Sequence, residues 1–272
     1  MRAASVGFQC PVCVKDGAAT LRTPQAVYGG KARSTPTVTF ALLGANALVF
    51  LLTTLTGTGL LFGGSPSALF EKLALAPTYH AVVQNGQLTV ADGVAQGEYF
   101  RLLTSMFLHF GVIHIALNMY CLFLLGPPLE AALGRLRFAA LYVLSGLSGA
   151  ALSYALGPVN EQAAGASGAV FGLFAAFYVV QRKRGGDVSA IGTTIAINLF
   201  ISFAASSYID WRGHVGGLVG GALVALALVH APQGPRRWVV QATGSLGVAL
   251  LVVAVVAVRT HELTRLVAGG LG

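Results

Sequence analysis

Charge is scarce in this sequence. Asp, Glu, Lys and Arg make up only 10% of its 272 residues, against about a quarter of an ordinary soluble domain. Hydrophobic residues make up 55%, and the mean hydropathy is +0.74. That balance excludes a water-soluble globular chain and marks an integral membrane protein. Acidic residues are scarcer still, 9 against 17 basic ones, for a net charge of +8. A basic chain invites a nucleic-acid reading, but here the charges sit in short clusters between apolar runs, which suits membrane topology better than phosphate binding. No nucleic-acid partner is expected.

Cysteine is nearly absent too, and three of them make no disulfide framework. Cys121 lies alone in an apolar run and reads as a packing residue. Cys10 and Cys13 form a C-x-x-C with no histidine nearby, which is half a zinc site at best, because such a site takes four ligands. A metal shared between chains, a redox pair, or a site whose other ligands lie upstream all stay open, beside a plain reduced, unstructured tail. No metal site is firm and no cofactor is implied. A cleavable signal peptide is also not expected, because the first 35 residues are polar and the first apolar run starts near Val38, after Lys31 and Arg33. That run reads as a retained signal anchor.

What the chain has in quantity is apolar runs long enough to cross a bilayer, which takes about 20 residues. The expected spans are 38–62, 102–126, 136–156, 166–180, 188–207, 213–231 and 238–258. Three regions follow: a cytoplasmic tail 1–36, a membrane domain 37–231, and a seventh span with the C-terminal end, 232–272. With the tail inside, twelve Lys and Arg fall on its side and five on the other. That bias puts the N-terminus in the cytoplasm and the C-terminus outside. The one long connection, Gly63 to Arg101, falls outside, carries Asn85-Gly86 and Asp92-Gly93 turn signals, and is expected to lie partly in the lipid interface with Tyr99 and Phe100 as interfacial aromatics.

The fourth span is short. From Ala166 to Val180 it covers about 22 Å at 1.5 Å per residue, against a hydrocarbon core of about 30 Å. With Arg182, Lys183 and Arg184 at the inner surface, its outer end is recessed and Ser167 lies within the membrane. The irregular segment Gly157 to Gly165 must then descend to that depth, which requires a water-accessible cavity opening outward.

Polar groups in spans mark function by default, although an Asn can also serve as interhelical glue. The second span holds His109, His114 and Asn118, the last two on one helix face. The sixth opens with His214, followed by Gly217 and Gly221; the fourth opens with Ser167, followed by Gly168 and Gly172. Paired small-x-x-x-small faces allow close helix approach, enough to bring Ser167 Oγ and His214 to the separation of about 2.6–3.2 Å that a nucleophile and its base need. No Asp or Glu occurs in the spans beside them. A Ser–His–Asp triad is therefore not available, whereas a Ser–His dyad is. Donors for an oxyanion are the His114 and Asn118 side chains and the Ser167 amide. His80, His230 and His261 read as surface or interfacial residues.

Taken in order, Gly165-x-Ser167-Gly168, His114-x-x-x-Asn118 and His214-x-x-Gly217-x-x-x-Gly221 resemble the signature of the rhomboid family of intramembrane serine proteases. The resemblance covers residues 38–231. It implies an all-α membrane protein: a rhomboid-like six-helix bundle, with the short recessed fourth helix, plus a seventh C-terminal transmembrane helix as in some bacterial members. It implies that Ser167 is the nucleophile, His214 the general base, His114 and Asn118 the oxyanion-stabilising pair, and His109 an auxiliary histidine near the cavity. Glu130, Gly134, Arg137 and Phe138 resemble a structural element after the second span, and Arg101 the arginine that closes the long first loop, with Phe100 where a Trp often stands. The Cys10–Cys13 tail is similar to the latter half of a cysteine-rich segment found before the membrane domain in some bacterial members. The implied activity is endoproteolysis of transmembrane proteins in or next to their spans, with the lipid bilayer as the medium and the oligomeric state open. A non-catalytic rhomboid-like protein that binds membrane clients is the alternative. A small transporter is a third reading, for which the sequence offers no convincing internal repeat.

Overall fold

The computed structural model describes residues 2–3, 7–20, 25–30, 35–57, 67–84 and 87–269. The chain begins with a two-stranded hairpin, β1 (Arg2–Ala3) and β2 (Phe8–Gln9), and the helix α1 (Pro11–Thr20). Then come α2 (Thr37–Leu55) and α3 (Ala68–Leu73), a second antiparallel hairpin of β3 (Tyr79–Gln84) and β4 (Gln87–Asp92), and α4 (Arg101–Thr104). The remaining helices are α5 (Val112–Leu133), α6 (Arg135–Leu156), α7 (Ser167–Lys183), α8 (Ser189–Ala204), α9 (Trp211–His230) and α10 (Arg237–Gly269). The helices form an all-α membrane bundle, and the strands belong to hairpins outside it. Among the described residues, α2, α5, α6, α9 and α10 are long and apolar enough to cross a bilayer, while α7 and α8 are shorter.

The core lies between α5, α6, α7 and α9, where Leu122, Leu129, Phe138, Leu141, Tyr142, Leu173 and Val224 are fully buried. Large apolar side chains such as Leu136, Phe200 and Leu250 point outward. Exposed apolar area on this scale is placed in lipid rather than water.

The bundle is closest where it lacks side chains. A Cβ on Gly217 would overlap the Gly168 carbonyl, one on Gly221 would overlap Gly172, and one on Gly149 would stand 2.6 Å from Gly213 O. Backbones of α6, α7 and α9 therefore touch directly, as the glycine faces lead one to expect. In lipid such contact replaces the hydrophobic drive that would hold helices together in water.

Several boundaries differ from the sequence expectation. The second crossing begins at Val112, not near residue 102, because Arg101–Thr104 and Ser105–Phe107 form short turns and the chain is extended at Gly111 before the helix starts. The helix then continues through Pro127 and Pro128 to Leu133. The last helix, α10, runs past residue 258 to Gly269; Val256 and Leu263 pack against Leu75, Val94 and Tyr154, and Tyr154 Oη lies 2.9 Å from Thr260 Oγ1. The end of the expected first span, 58–62, and the Asn85-Gly86 turn lie outside the described residues.

Two charged groups organise the ends. Glu130, buried at the end of α5, accepts from Val38 N (3.0 Å), Thr39 N (2.8 Å) and Thr39 Oγ1 (2.8 Å). Pro36, at the cap position of α2, has no side-chain donor or acceptor to offer, so a carboxylate from another helix satisfies the free amides there. Arg101, only 2% exposed, donates to Glu98 Oε2 (2.6 Å), Glu71 O (2.6 Å) and Ala74 O (3.0 Å). It ties the end of the long connection to α3. The described part of that connection thus holds more structure than a bare loop, and Tyr99 and Phe100 are exposed on it.

The tail is partly docked: Tyr28 is buried, and its amide donates to Ala132 O at 3.0 Å. Cys10 and Cys13 are exposed and free. No group of three or more metal-ligating side chains occurs among the described residues.

Candidate active site

Ser167 is the first residue of α7, reached through the segment 157–165. That segment is held by the long connection and the turn that follows it: Leu75 and Ala163 exchange both backbone hydrogen bonds (3.0 and 2.9 Å), Thr78 N and Oγ1 both donate to Val159 O, and Gly165 N donates to Ser105 O at 2.9 Å. Gly165 has φ +144°, which favours glycine. A methyl group there would stand 2.9 Å from His114 Nε2 and 3.5 Å from Ser167 Oγ. The absent side chain is therefore what lets the imidazole and the hydroxyl flank one point of backbone. The amides of the first turn of α7 have no intrahelical acceptor and form the positive end of the helix.

Ser167, His114, Asn118 and His214 all line one cavity of about 990 Å³. Its walls include the 157–165 segment, the start of α5, the end of α8 and the start of α9. The sequence expectation of a cavity at Ser167 thus has a counterpart in the structure.

His114 and His214 each have a partner that orients the ring. His114 Nδ1 accepts, at a long 3.4 Å, from Phe110 N, whose ring stacks on it at 6.2 Å. An accepting Nδ1 leaves Nε2 to carry the proton, on the side of Gly165. Asn118 donates one amide proton to His114 O at 2.9 Å, which keeps the second available. His214 lies in the first turn of α9, stacked on the Phe171 ring at 4.3 Å and 17°. Its Nδ1 is 2.7 Å from Ser202 Oγ on α8.

Not every expected contact is present. Ser167 and His214 share the cavity but no hydrogen bond joins them; catalytic contacts are often long in ligand-free enzymes and tighten with substrate. His109 is buried and meets His114 edge-on at 5.0 Å, behind it rather than in the cavity wall. Asp210 is the acidic residue nearest in sequence to His214. Its carboxylate is engaged by Ser153, by Arg212 N (3.2 Å) and by Arg212 Nη1 (3.8 Å), not by the imidazole.

Sequence reasoning missed Phe171 and Ser202. Phe171 had a signal, being one turn after Ser167 and so on its face. Ser202 had none, since a lone Ser in an apolar run reads as bonded to its own helix. His230 and His261 are exposed, as expected; the His80 side chain lies outside the described residues.

A multi-pass helical membrane protein with a serine, an asparagine and two imidazoles gathered at one internal cavity is a narrow class. The Rhomboid domain profile matches residues 96–231, half of the chain and nearly all of the cavity lining. The chain is similar to "Rhomboid protease GluP" of Bacillus subtilis (strain 168), 43% identical over 140 residues, 50% of this chain and 27% of that protein. It is similar to "Putative rhomboid protease YdcA" of the same organism, 39% identical over 54% of this chain and 74% of that one. "RHOMBOID-like protein 6, mitochondrial" of Arabidopsis thaliana is 32% identical, the match spanning 61% of this chain and 55% of that protein. The chain belongs to the rhomboid family. It aligns with little more than a quarter of the first of these relatives and about half of the third.

Proposed function

We propose that this protein is an intramembrane serine endopeptidase that cleaves transmembrane proteins in or next to their spans through a Ser167–His214 dyad. The observation that carries it is the meeting of Ser167, His214, His114 and Asn118 in one cavity at the start of α7. The family membership and the similarity to proteins named rhomboid proteases support it.

The chemistry runs as acyl transfer. His214 Nε2 takes the Ser167 proton as Oγ attacks the scissile carbonyl. The oxyanion receives His114 Nε2–H, the spare Asn118 amide proton and the Ser167 amide, where one such donor is worth about 2.7–4 kcal/mol in other enzymes. His214 then gives its proton to the leaving amine, and water repeats the sequence on the acyl enzyme. A scissile carbonyl inside a helix is hydrogen-bonded and shielded, so substrates carry helix-breaking residues at the cleavage point. Residues 37–231 form the catalytic domain, with the N-terminus cytoplasmic and the C-terminus outside. Purified protein should cleave a fluorogenic transmembrane substrate in detergent, and Ser167→Ala should not. Equal turnover by the two removes Ser167 from the mechanism.

A further inference from the structure

We propose that Ser202 is a positioning residue for His214, fixing which imidazole nitrogen serves as the base; this rests on the Ser167–His214 assignment above. A hydroxyl has one proton and two acceptor sites. Ser202 Oγ lies 2.6 Å from Asn198 O, one turn back on α8, and 2.7 Å from His214 Nδ1. A carbonyl can only accept, so the serine proton goes to Asn198 O. His214 Nδ1 must then be the donor in the second bond. Nε2 is left unprotonated, on the free edge of a ring whose face is covered by Phe171 at 4.3 Å. That is the tautomer a base for Ser167 needs.

The placement of Ser202 is unlike that of its neighbours. It is the only buried residue of α8, a helix whose Ile197, Phe200, Ile201 and Phe203 are exposed. Thr194 makes the same bond to its own helix, to Ala190 O at 2.9 Å, with no second partner among the described residues. A serine kept merely to fill space beside lipid-facing residues has no need of the second contact.

The groups facing His214 leave this role to Ser202. From α7 it meets the Phe171 ring, and from α8 the hydroxyl. At the start of its own helix, Asp210 is committed to Ser153 and Arg212. His114 lines the same cavity. In place of a triad carboxylate, the base has a neutral hydroxyl, which orients the ring without adding charge to stabilise the imidazolium.

Selective 15N labelling of histidine, with His214 assigned by its loss in a His214→Ala spectrum, reads the tautomer directly. Nδ1 of the protonated type and Nε2 of the unprotonated type are expected in the wild type and in the Ser167→Ala protein. A proton on Nε2 overturns the proposal without any substitution at Ser202. Ser202→Val and Ser202→Thr have nearly one shape and differ in the hydroxyl. The Val variant should lose about tenfold in kcat with KM within about twofold, as expected when one orienting hydrogen bond is lost. The Thr variant should retain most of the rate. Equal kcat for Val, Thr and wild type, or equal loss in both variants, rejects a role for the hydroxyl. Ser167→Ala is the reference throughout: activity there overturns the dyad, whereas an inactive Ser167→Ala beside a fully active Ser202→Val overturns only the role of Ser202.

Discussion

Where α7 meets α9, a methyl group on Gly217 would overlap the Gly168 carbonyl; where α8 meets α9, the contacts include the Phe203–Trp211 ring pair at 5.0 Å and one hydroxyl on one imidazole. The first junction is backbone against backbone. The second is made by side chains at the end of a helix that otherwise faces outward. Ser167 is carried at the first junction, and His214 stands between the two, stacked on Phe171 of α7 and in contact with Ser202 of α8. The difference teaches that Ser167 sits where helices pack backbone to backbone, whereas the protonation proposed for His214 rests on a side-chain contact from a helix that is mostly exposed.

The severest way to break this contrast is to fill the seam. Gly217→Val should destabilise the protein by about 3 kcal/mol, the upper end of overpacking penalties, read as an unfolding transition in detergent, with proteolysis lost. An unchanged transition would mean that α7 and α9 can separate. Glu130→Gln comes next, because it removes an acceptor from the Val38–Thr39 cap of α2; a loss of about 1–3 kcal/mol is expected for a buried donor left unpaired. On the outward helix, Phe200→Leu should change stability by no more than about 0.5 kcal/mol, and a larger loss would show that α8 is packed after all. The smallest effect is at the start of α8. Asp187 accepts from Ser189 N and Oγ (both 2.8 Å), which holds its carboxyl below the usual value of 3.8. A lowered folded value stabilises above the unfolded one. The contribution is complete above pH 3.8 and disappears as pH falls through the lowered value, and Asp187→Asn should erase that small acid-side dependence in a pH series of unfolding midpoints.

The closely packed side was the legible side. Gly168, Gly172, Gly217 and Gly221 announce close approach by spacing alone, and Ser167, His114, Asn118 and His214 stand out because polar groups are costly in lipid. The outward-facing side was not legible, because the partner of His214 comes from another helix and nothing in an apolar run distinguishes Ser202 from a serine bonded to its own turn. Boundaries failed for a related reason. Residues 102–111 are as apolar as a span, but the bonds of Arg101 and Thr104 to the long connection fold them into short turns before α5 begins. Likewise, Glu130 reads as a helix-end charge until α2 is seen to place its first amides on it.

Labelling with a fluorophosphonate probe tests the central claim most directly, since the probe traps an activated serine without needing the natural substrate. Wild-type protein should be labelled at Ser167, with labelling abolished in Ser167→Ala and strongly reduced in His214→Ala while both variants stay folded. Labelling that persists in folded Ser167→Ala, or that is indifferent to His214, would contradict the account.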